Sequence, residues 1–133
     1  MMRQFNLPQE DMEFLEASTL FWETVMECNI MRVVLRDFPI PVGYNHEKVD
    51  LHVRIEAAYP DTQIDMVYFS PHLARSDSKP IRATCHQEDF DGKNWQRWSR
   101  HRTSQNPWRP GIDNLSTHLA LVNEWLLLEL MKQ

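Results

Sequence analysis

A chain of 133 residues, 42% of them hydrophobic and 25% charged, is typical of one globular domain spanning residues 1–133. The formal net charge of −5 at pH 7 argues against a general polyanion-binding protein, because the field of the whole molecule repels phosphate. The apolar run at residues 125–128 is far too short to cross a bilayer, so we expect no membrane span.

The N-terminal residues lack the long apolar stretch of a signal peptide, and no internal repeat or low-complexity tract divides the chain. We therefore expect a cytoplasmic protein. Its two cysteines, Cys28 and Cys85, are expected to be free thiols, because a reducing compartment disfavours disulfides.

The first element is a helix predicted over residues 8–17, where Pro8 suits the first turn and acidic residues suit the positive end of the helix dipole. Four strands follow. Alternation of apolar and polar residues and the positions of turn residues predict them over residues 20–25, 30–37, 49–55 and 64–69. Their short connections favour an antiparallel meander, because parallel neighbours would need crossover helices.

Residues 70–112 show little regular pattern, and we predict a long irregular loop there. The last element is a helix over residues 114–131, with Asp113 as its N-cap. One stripe of this helix is apolar and is predicted to face the sheet: Leu115, Leu119, Val122, Leu126 and Leu130. The predicted fold class is therefore α+β, a sheet with helices to one side.

Residues 95–102 are the most unusual part of the chain. They are rich in arginine and tryptophan, and no carboxylate occurs from Gly92 to Ile112. We interpret the stretch as too polar for a core strand. Ser99 and His101 lie two residues apart within this basic, aromatic frame. A basic, aromatic segment of this kind suits a site that binds a carbonyl group or a carboxyl terminus. The other interpretation is a surface that binds nucleic acid.

The order of elements is similar to the core of the ubiquitin-conjugating, or E2, fold (UBC-like). Tyr59-Pro60 resembles the Tyr-Pro that E2 proteins carry between the third and fourth strands, and Trp108-Arg109-Pro110 resembles the Trp-Ser-Pro before their second helix. Within this superfamily the chain most resembles prokaryotic E2 family E. The blocks that carry the resemblance are residues 7–8, 38–44, 59–61, 65–66, 91–101 and 108–113.

The resemblance implies a component of a bacterial ubiquitin-like conjugation system, of the kind often linked to antiphage defence. The implied partners are an E1-like activating enzyme of the ThiF type, a ubiquitin-like protein and a JAB-type peptidase, and no cofactor is expected. Two departures from the E2 pattern stand out. The chain has no His-Pro-Asn tripeptide, and it ends one helix after Trp108, so the two C-terminal helices of a full E2 are expected to be absent.

The first hypothesis is that Ser99 accepts the C-terminal carboxyl of the ubiquitin-like protein as an oxyester. Counting back from Trp108 by the spacing that E2 enzymes show leads to Arg100, beside Ser99. His101 is the nearest candidate base, because residues two apart in an extended segment point to the same side. Three arginines would stabilise the oxyanion or hold the tail: Arg97, Arg100 and Arg102. The alternative is that Ser99 and His101 are hydrogen-bonding loop residues only.

The second hypothesis is that Cys85 carries a thioester, since a thiolate is the better nucleophile and His86 beside it would lower the thiol pKa. This requires the loop to bring Cys85 to the position that the E2 spacing assigns to Ser99. A half-buried structural cysteine is the alternative. A zinc site formed by Cys85, His86, His101 and His118 is disfavoured, because the spacing lacks the paired short intervals of structural zinc sites.

The remaining residues of the predicted binding surface are Trp95, Trp98, Trp108 and Arg109. Tryptophans under a long loop also commonly fill a satellite core, which is the alternative for all three. Two other functions stay open. One is a catalytically inactive E2-like scaffold that binds the ubiquitin-like protein or the E1. The other is a nucleic-acid-binding module, against which the acidic remainder of the chain counts.

Overall fold

The structure is a computed structural model that describes residues 2–132, and within that range it contains two helices and six strands. In chain order they are α1 (Gln9–Ala17), β1 (Trp22–Glu27), β2 (Ile30–Pro39), β3 (Lys48–Ile55), β4 (Val67–Ser70), β5 (Gln87–Phe90), β6 (Lys93–Trp98) and α2 (Leu115–Leu130). The predicted α+β class and both predicted helices are confirmed. Neither helix is long and apolar enough to cross a membrane.

All six strands form one antiparallel sheet in the order β1-β2-β3-β4-β6-β5. The sheet is therefore not the four-stranded meander that the sequence predicted. The prediction of a wholly irregular loop over residues 70–112 is wrong as well, because this segment supplies β5 and β6. β6 is inserted between β4 and β5, which makes it an interior strand.

A two-residue turn, Asp91-Gly92, joins β5 to β6. Phe90 pairs with Lys93 across it, and the backbone φ angles of Asp91 and Gly92 are 56° and 69°. Positive φ at both central residues is what a type I′ turn requires, and Asp-Gly is a preferred pair for it. The Asp-Gly pair predicts a turn. The residues on either side of it are mostly polar, so the sequence pattern did not predict the two strands.

The two tryptophans of β6 point to opposite faces of the sheet, and both are 0% exposed. Trp98 lies in the core between the sheet and the helices. Gln96, which shares that face, is buried and satisfied, with hydrogen bonds to the backbone N–H and carbonyl of Leu73, both at 2.9 Å. The interpretation of this stretch as too polar for a core strand is therefore wrong for β6. The two rings lie three residues apart and are buried on opposite faces of the sheet, and hydrogen bonds satisfy the buried amide.

The inner face of α2 packs on the sheet as predicted, through the buried residues Leu115, Leu119, Val122 and Leu126 and the partly buried Leu130. The N-cap of α2 is Asn114 rather than the predicted Asp113. The Asn114 side chain accepts a hydrogen bond from the Thr117 N–H at 3.2 Å, and the Thr117 hydroxyl accepts one from the Asn114 N–H at 3.0 Å. Asp113 does not cap because its carboxylate binds Arg109.

The opposite face of the sheet carries a second apolar cluster, formed by Val25, Val34, Tyr68, Phe90 and Trp95. The fully buried His52 stacks on Tyr68 with ring centroids 4.5 Å apart. Glu88 of β5 contacts the guanidinium groups of Arg32 and Arg54 at the margin of this cluster. The β5–β6 hairpin therefore completes a second small core on this face.

Acidification is expected to destabilise the fold through His118, whose Nε2 lies 2.9 Å from the Met66 carbonyl oxygen. Burial lowers the pKa of His118 from 6.5 to about 4. The unfolded chain therefore takes up a proton below pH 6.5, whereas the folded chain keeps this imidazole neutral down to about pH 4. Stability is lost as the pH falls through this window, by about 2–3 kcal/mol.

Urea unfolding between pH 7 and pH 4 measures this loss in the wild type and in His118→Gln, which should show a shallower slope. The exposed His86, replaced by glutamine, is the matched control. Burial also lowers the pKa of His52, so a residual slope should remain in the His118→Gln variant. Equal slopes in wild type and His118→Gln would contradict the assignment.

Candidate active site

Ser99 directly follows β6, at a point where the chain turns. The Arg100 N–H donates to the Trp98 carbonyl at 3.0 Å, which closes a three-residue turn centred on Ser99. The segment is therefore not extended, and the reason for expecting Ser99 and His101 on the same side does not hold. Within residues 2–132, no hydrogen bond joins their side chains.

The Ser99 hydroxyl is half-buried and accepts a hydrogen bond from Arg97 Nε at 3.1 Å. Arg97 lies on β6 two residues earlier, so an interior strand holds this guanidinium beside the hydroxyl. A cationic donor in this position favours negative charge on the oxygen. Of the three arginines predicted to assist Ser99, Arg97 is the one that contacts its hydroxyl directly.

Arg100 is turned away from the Ser99 hydroxyl. Its Nη1 donates to the Arg82 carbonyl at 2.9 Å, and its Nη2 donates to Glu129 Oε1 at 3.1 Å. The guanidinium also lies over the Trp98 ring, 4.9 Å from the centroid. Burial lowers the pKa of Arg100, and the Glu129 carboxylate opposes that effect. Arg100 therefore ties the Ser99 turn to the end of α2.

His101 pairs with Asp65, a residue that sequence reasoning did not place at the site. The Nδ1 atom of His101 lies 3.0 and 3.1 Å from the two carboxylate oxygens. A carboxylate at Nδ1 favours the tautomer that carries its proton there and leaves Nε2 as the basic nitrogen. The imidazole side chain is 59% exposed, so Nε2 is open to a partner or substrate.

Cys85 is exposed and lies in the segment that pairs with the start of the Ser99 turn. Two backbone hydrogen bonds fix this pairing: Arg97 N–H to the His86 carbonyl at 2.9 Å, and Ser99 N–H to the Ala83 carbonyl at 3.0 Å. The Cys85 side has one more residue between these bonds than the Ser99 side, which is the geometry of a β-bulge. The two candidate nucleophiles, far apart in sequence, therefore share one strand pairing.

The other predicted binding residues fall into two groups. Trp95 and Trp98 are core residues without exposed surface. The Arg102 side chain is 7% exposed and lies over the Trp108 ring, 5.0 Å from its centroid. The Trp108 indole donates to the carbonyl of residue 60 at 2.9 Å. Arg109 is exposed, so this group offers a ligand mainly Arg109 and the open part of Trp108.

Asp113 closes the loop that follows the Ser99 turn. Its carboxylate accepts from the Arg109 backbone N–H at 2.8 Å and Nε at 3.2 Å, and it lies 3.5 Å from Arg102 Nη1. Burial alone would raise the pKa of Asp113, but the hydrogen bonds from Arg109 outweigh that effect and lower the pKa to about 2. Asp113 therefore stays ionised and anchors both arginines.

Comparison with known families identifies the chain. Residues 7–129 match the family described as Prokaryotic E2 family E. The chain belongs to prokaryotic E2 family E. No curated protein and no solved structure matches it. Family membership supports an E2-like role in ubiquitin-like conjugation, in which an activating enzyme and a ubiquitin-like protein are the general partners.

In this family E member, two of the four residues considered for a zinc site serve other contacts. His118 binds the Met66 carbonyl in the core, and His101 binds Asp65. Nowhere in residues 2–132 do three histidine, cysteine or acidic side chains form a group that could hold a metal ion. The Ser99 turn and the segments beside it carry a hydroxyl, a thiol, an imidazole–carboxylate pair and guanidinium groups.

Proposed function

We propose that this family E protein is an E2-like acyl carrier that receives the C-terminal carboxyl of a ubiquitin-like protein as an oxyester on Ser99. The observation that carries the proposal is the 3.1 Å hydrogen bond from Arg97 Nε to the Ser99 hydroxyl. A guanidinium at this position supports nucleophilic attack, because it stabilises the oxygen as it becomes anionic. The E2-like spacing counted back from Trp108 leads to Arg100, the residue directly after Ser99.

In the charging step, the Ser99 oxygen attacks the carbonyl carbon of the activated carboxyl on the E1-like partner. A C–O bond to Ser99 forms, the bond to the partner's leaving group breaks, and the serine proton passes through a base to that leaving group. In the transfer step, a target nucleophile attacks the ester carbonyl and the bond to Ser99 breaks. The Ser99 oxygen then takes the proton that the nucleophile loses.

His101 is the proposed base, with Asp65 as the residue that positions it. Because Asp65 holds Nδ1, Nε2 is free to take the Ser99 proton. Proton transfer requires Nε2 to approach the Ser99 hydroxyl while Nδ1 keeps its contact with Asp65, because no hydrogen bond joins the Ser99 and His101 side chains in the described residues 2–132. Catalytic hydrogen bonds of this kind commonly form only in the complex with the reacting partner.

Replacing Asp65 by asparagine is expected to slow charging by about 10- to 100-fold, because the His101 imidazole loses the carboxylate that orients it. The asparagine side chain keeps one oxygen that can accept a hydrogen bond from His101. His101→Ala should slow charging by at least as much. Single-turnover charging rates at pH 7.5 measure the effect. Asp61→Asn, an exposed carboxylate nearby, is the matched control. An unchanged rate in Asp65→Asn, with an unchanged melting temperature, would remove Asp65 from the site.

Cys85 is the second candidate carrier. The pairing of its segment with the Ser99 turn supports it as an alternative acceptor of the acyl group. Its thiol is exposed, and it lies in the segment whose backbone binds the N–H groups of Arg97 and Ser99. The charging step would be the same, with a C–S bond in place of the C–O bond. A thioester and an oxyester differ in lability, so chemistry separates the two candidates.

The proposal is tested by mixing the protein with its E1-like partner, the ubiquitin-like protein and ATP, and then measuring the intact mass. Charging should add the mass of the ubiquitin-like protein less one water. An adduct that survives reducing thiol but not mild alkali supports Ser99, and an adduct lost to thiol supports Cys85. Co-purification of the proteins without any adduct would favour the inactive scaffold.

The wider pathway follows from the resemblance to family E and is part of the same proposal. The activating enzyme would be of the ThiF type, a JAB-type peptidase would remove the modification, and the system would act in the cytoplasm in antiphage defence. Nucleic-acid binding is the weaker alternative, because burial of Trp95 and Trp98 leaves them no ring face for base stacking.

A further inference from the structure

His118 connects the buried face of α2 to the segment that holds the candidate base. Its side chain is 0% exposed, and its Nε2 lies 2.9 Å from the Met66 carbonyl oxygen. A carbonyl oxygen only accepts, so Nε2 carries the proton and donates it to this bond. Met66 directly follows Asp65, whose carboxylate oxygens lie 3.0 and 3.1 Å from His101 Nδ1. A hydrogen bond from the core therefore fixes the backbone next to Asp65.

The His118 ring is itself held in position. The Trp125 ring lies edge-on against it, with centroids 5.6 Å apart and planes at 85°. Burial lowers the pKa of His118 to about 4, so the ring is neutral around pH 7. Its Nδ1 forms no hydrogen bond within residues 2–132, so the ring has the Met66 carbonyl as its one hydrogen-bond partner there. The ring is thus a neutral donor committed to one backbone oxygen.

The backbone at Met66 is in a conformation that needs such support. Its φ angle is 60°, in the left-handed region that residues other than glycine rarely adopt. A residue persists there only when its surroundings hold it, and such residues cluster at functional sites. If Met66 relaxed to a negative φ, the chain before it would leave β4 in another direction, and Asp65 would move away from His101.

The anchored segment lies at the end of the sheet where the candidate site is. Val67 of β4 pairs with Trp98 of β6, so the residues before β4 and after β6 lie at the same end of this strand pair. On the other side of Asp65, Ile64 is 0% exposed and belongs to the core. Asp65 is therefore a partly exposed carboxylate between two anchored neighbours, Ile64 and Met66.

We propose that His118 is a positioning residue for the acyl transfer of the proposed function, on which this inference rests. It holds Met66 in its left-handed conformation and so keeps Asp65 in contact with His101. Because His118 acts through the backbone, its replacement should change the orientation of His101 and leave the Ser99 hydroxyl in place.

The first test reads the tautomer of His101 by NMR, in the full chain labelled with nitrogen-15 in its histidine rings and at about pH 8.5, where imidazoles are neutral. The wild type should carry the His101 proton on Nδ1. His118→Leu should shift it to Nε2, whereas His118→Gln, which keeps an N–H donor, should retain the wild-type tautomer. His46→Leu, which replaces a partly exposed histidine between β2 and β3, is the matched control. A folded His118→Leu protein with the proton still on Nδ1 would overturn the proposal.

The second test is a double-mutant cycle on single-turnover charging. His118→Leu should slow charging by about 10- to 100-fold, as expected for Asp65→Asn. The double variant should be no slower than Asp65→Asn alone, because both changes remove the same contact. Effects that multiply in the double variant would mean that His118 acts independently of Asp65, and would contradict the proposal.

Met66 provides the test if His118→Leu does not fold. Met66→Ile places a β-branched side chain at positive φ and should displace the His101 proton from Nδ1, whereas Met66→Gly adopts this φ without strain and should not. A proton retained on Nδ1 in both variants would overturn the proposal. If His118→Leu changes the tautomer but the wild type forms no adduct, the carrier function fails while the hold of His118 on Asp65 stands.

Discussion

Ser99→Ala is expected to lose the covalent adduct with the ubiquitin-like protein completely, while its fold is unchanged. The hydroxyl that Arg97 holds at 3.1 Å is the proposed acceptor, and alanine offers no oxygen to esterify. Ser99→Cys is expected to keep the adduct but change its chemistry, because a thioester replaces the oxyester and is cleaved by reducing thiol. Intact-mass measurement with and without thiol distinguishes the three proteins.

Two controls make this result specific. Ser104→Ala removes an exposed hydroxyl from the following loop and should charge as the wild type does. Cys85→Ala should also charge fully. A Ser99→Ala variant that still charges, together with a Cys85→Ala variant that does not, would assign the carrier to Cys85.

Trp98→Ala is expected to destabilise the fold by about 3–5 kcal/mol, the usual cost of deleting a fully buried large aromatic side chain. Trp98 is 0% exposed, and its ring lies 5.6 Å from Phe69 and 6.1 Å from Tyr44. Its indole also donates to the Gln96 side chain at 3.0 Å. The substitution would leave a cavity under the strand that carries Ser99.

Urea unfolding measures this loss, and Trp108→Ala is the matched control. Trp108 is only partly buried, so its removal should cost clearly less. A Trp98→Ala variant with near wild-type stability that fails to bind the ubiquitin-like protein would contradict the structure and favour a ligand-binding tryptophan. A loss of both stability and charging fits a core residue that supports the Ser99 turn.

Local pattern was enough to predict the parts of the fold whose burial follows sequence periodicity. The apolar stripe of α2 and the alternation in β3 identify these elements, because one face of each meets the core. β5 and β6 do not follow that rule. They combine polar side chains with isolated large rings. The burial of β6 comes from its place between β4 and β5, and an apolar cluster on the second face of the sheet buries rings from both strands.

The candidate site was predicted only in part, for a similar reason. Ser99, His101 and Arg97 are close in sequence, so a pattern of residue types could find them. Asp65 reaches His101 from the segment before β4, and Cys85 reaches the Ser99 turn through a bulged strand pairing. Both contacts depend on how β4, β5 and β6 are ordered in the sheet, which the sequence did not reveal.

For Arg100, closeness in the sequence suggested a contact that the structure does not have. Its position beside Ser99 in the sequence suggested an oxyanion contact, yet its guanidinium turns towards α2 and binds the buried Glu129. Adjacent residues at a tight turn point in different directions, and a buried carboxylate is a strong partner for an arginine. The turn at Ser99 therefore leaves the Arg97 guanidinium at the Ser99 hydroxyl and directs the Arg100 guanidinium away from it.

Peptide mapping of the charged protein tests the central claim most directly. The adduct would be formed with the E1-like partner, the ubiquitin-like protein and ATP, digested at acidic pH to preserve esters, and sequenced by tandem mass spectrometry. We expect the C-terminal remnant of the ubiquitin-like protein on Ser99, within the peptide that also carries His101. A remnant on Cys85, or on a lysine with none on Ser99, would contradict an oxyester carrier at the end of β6.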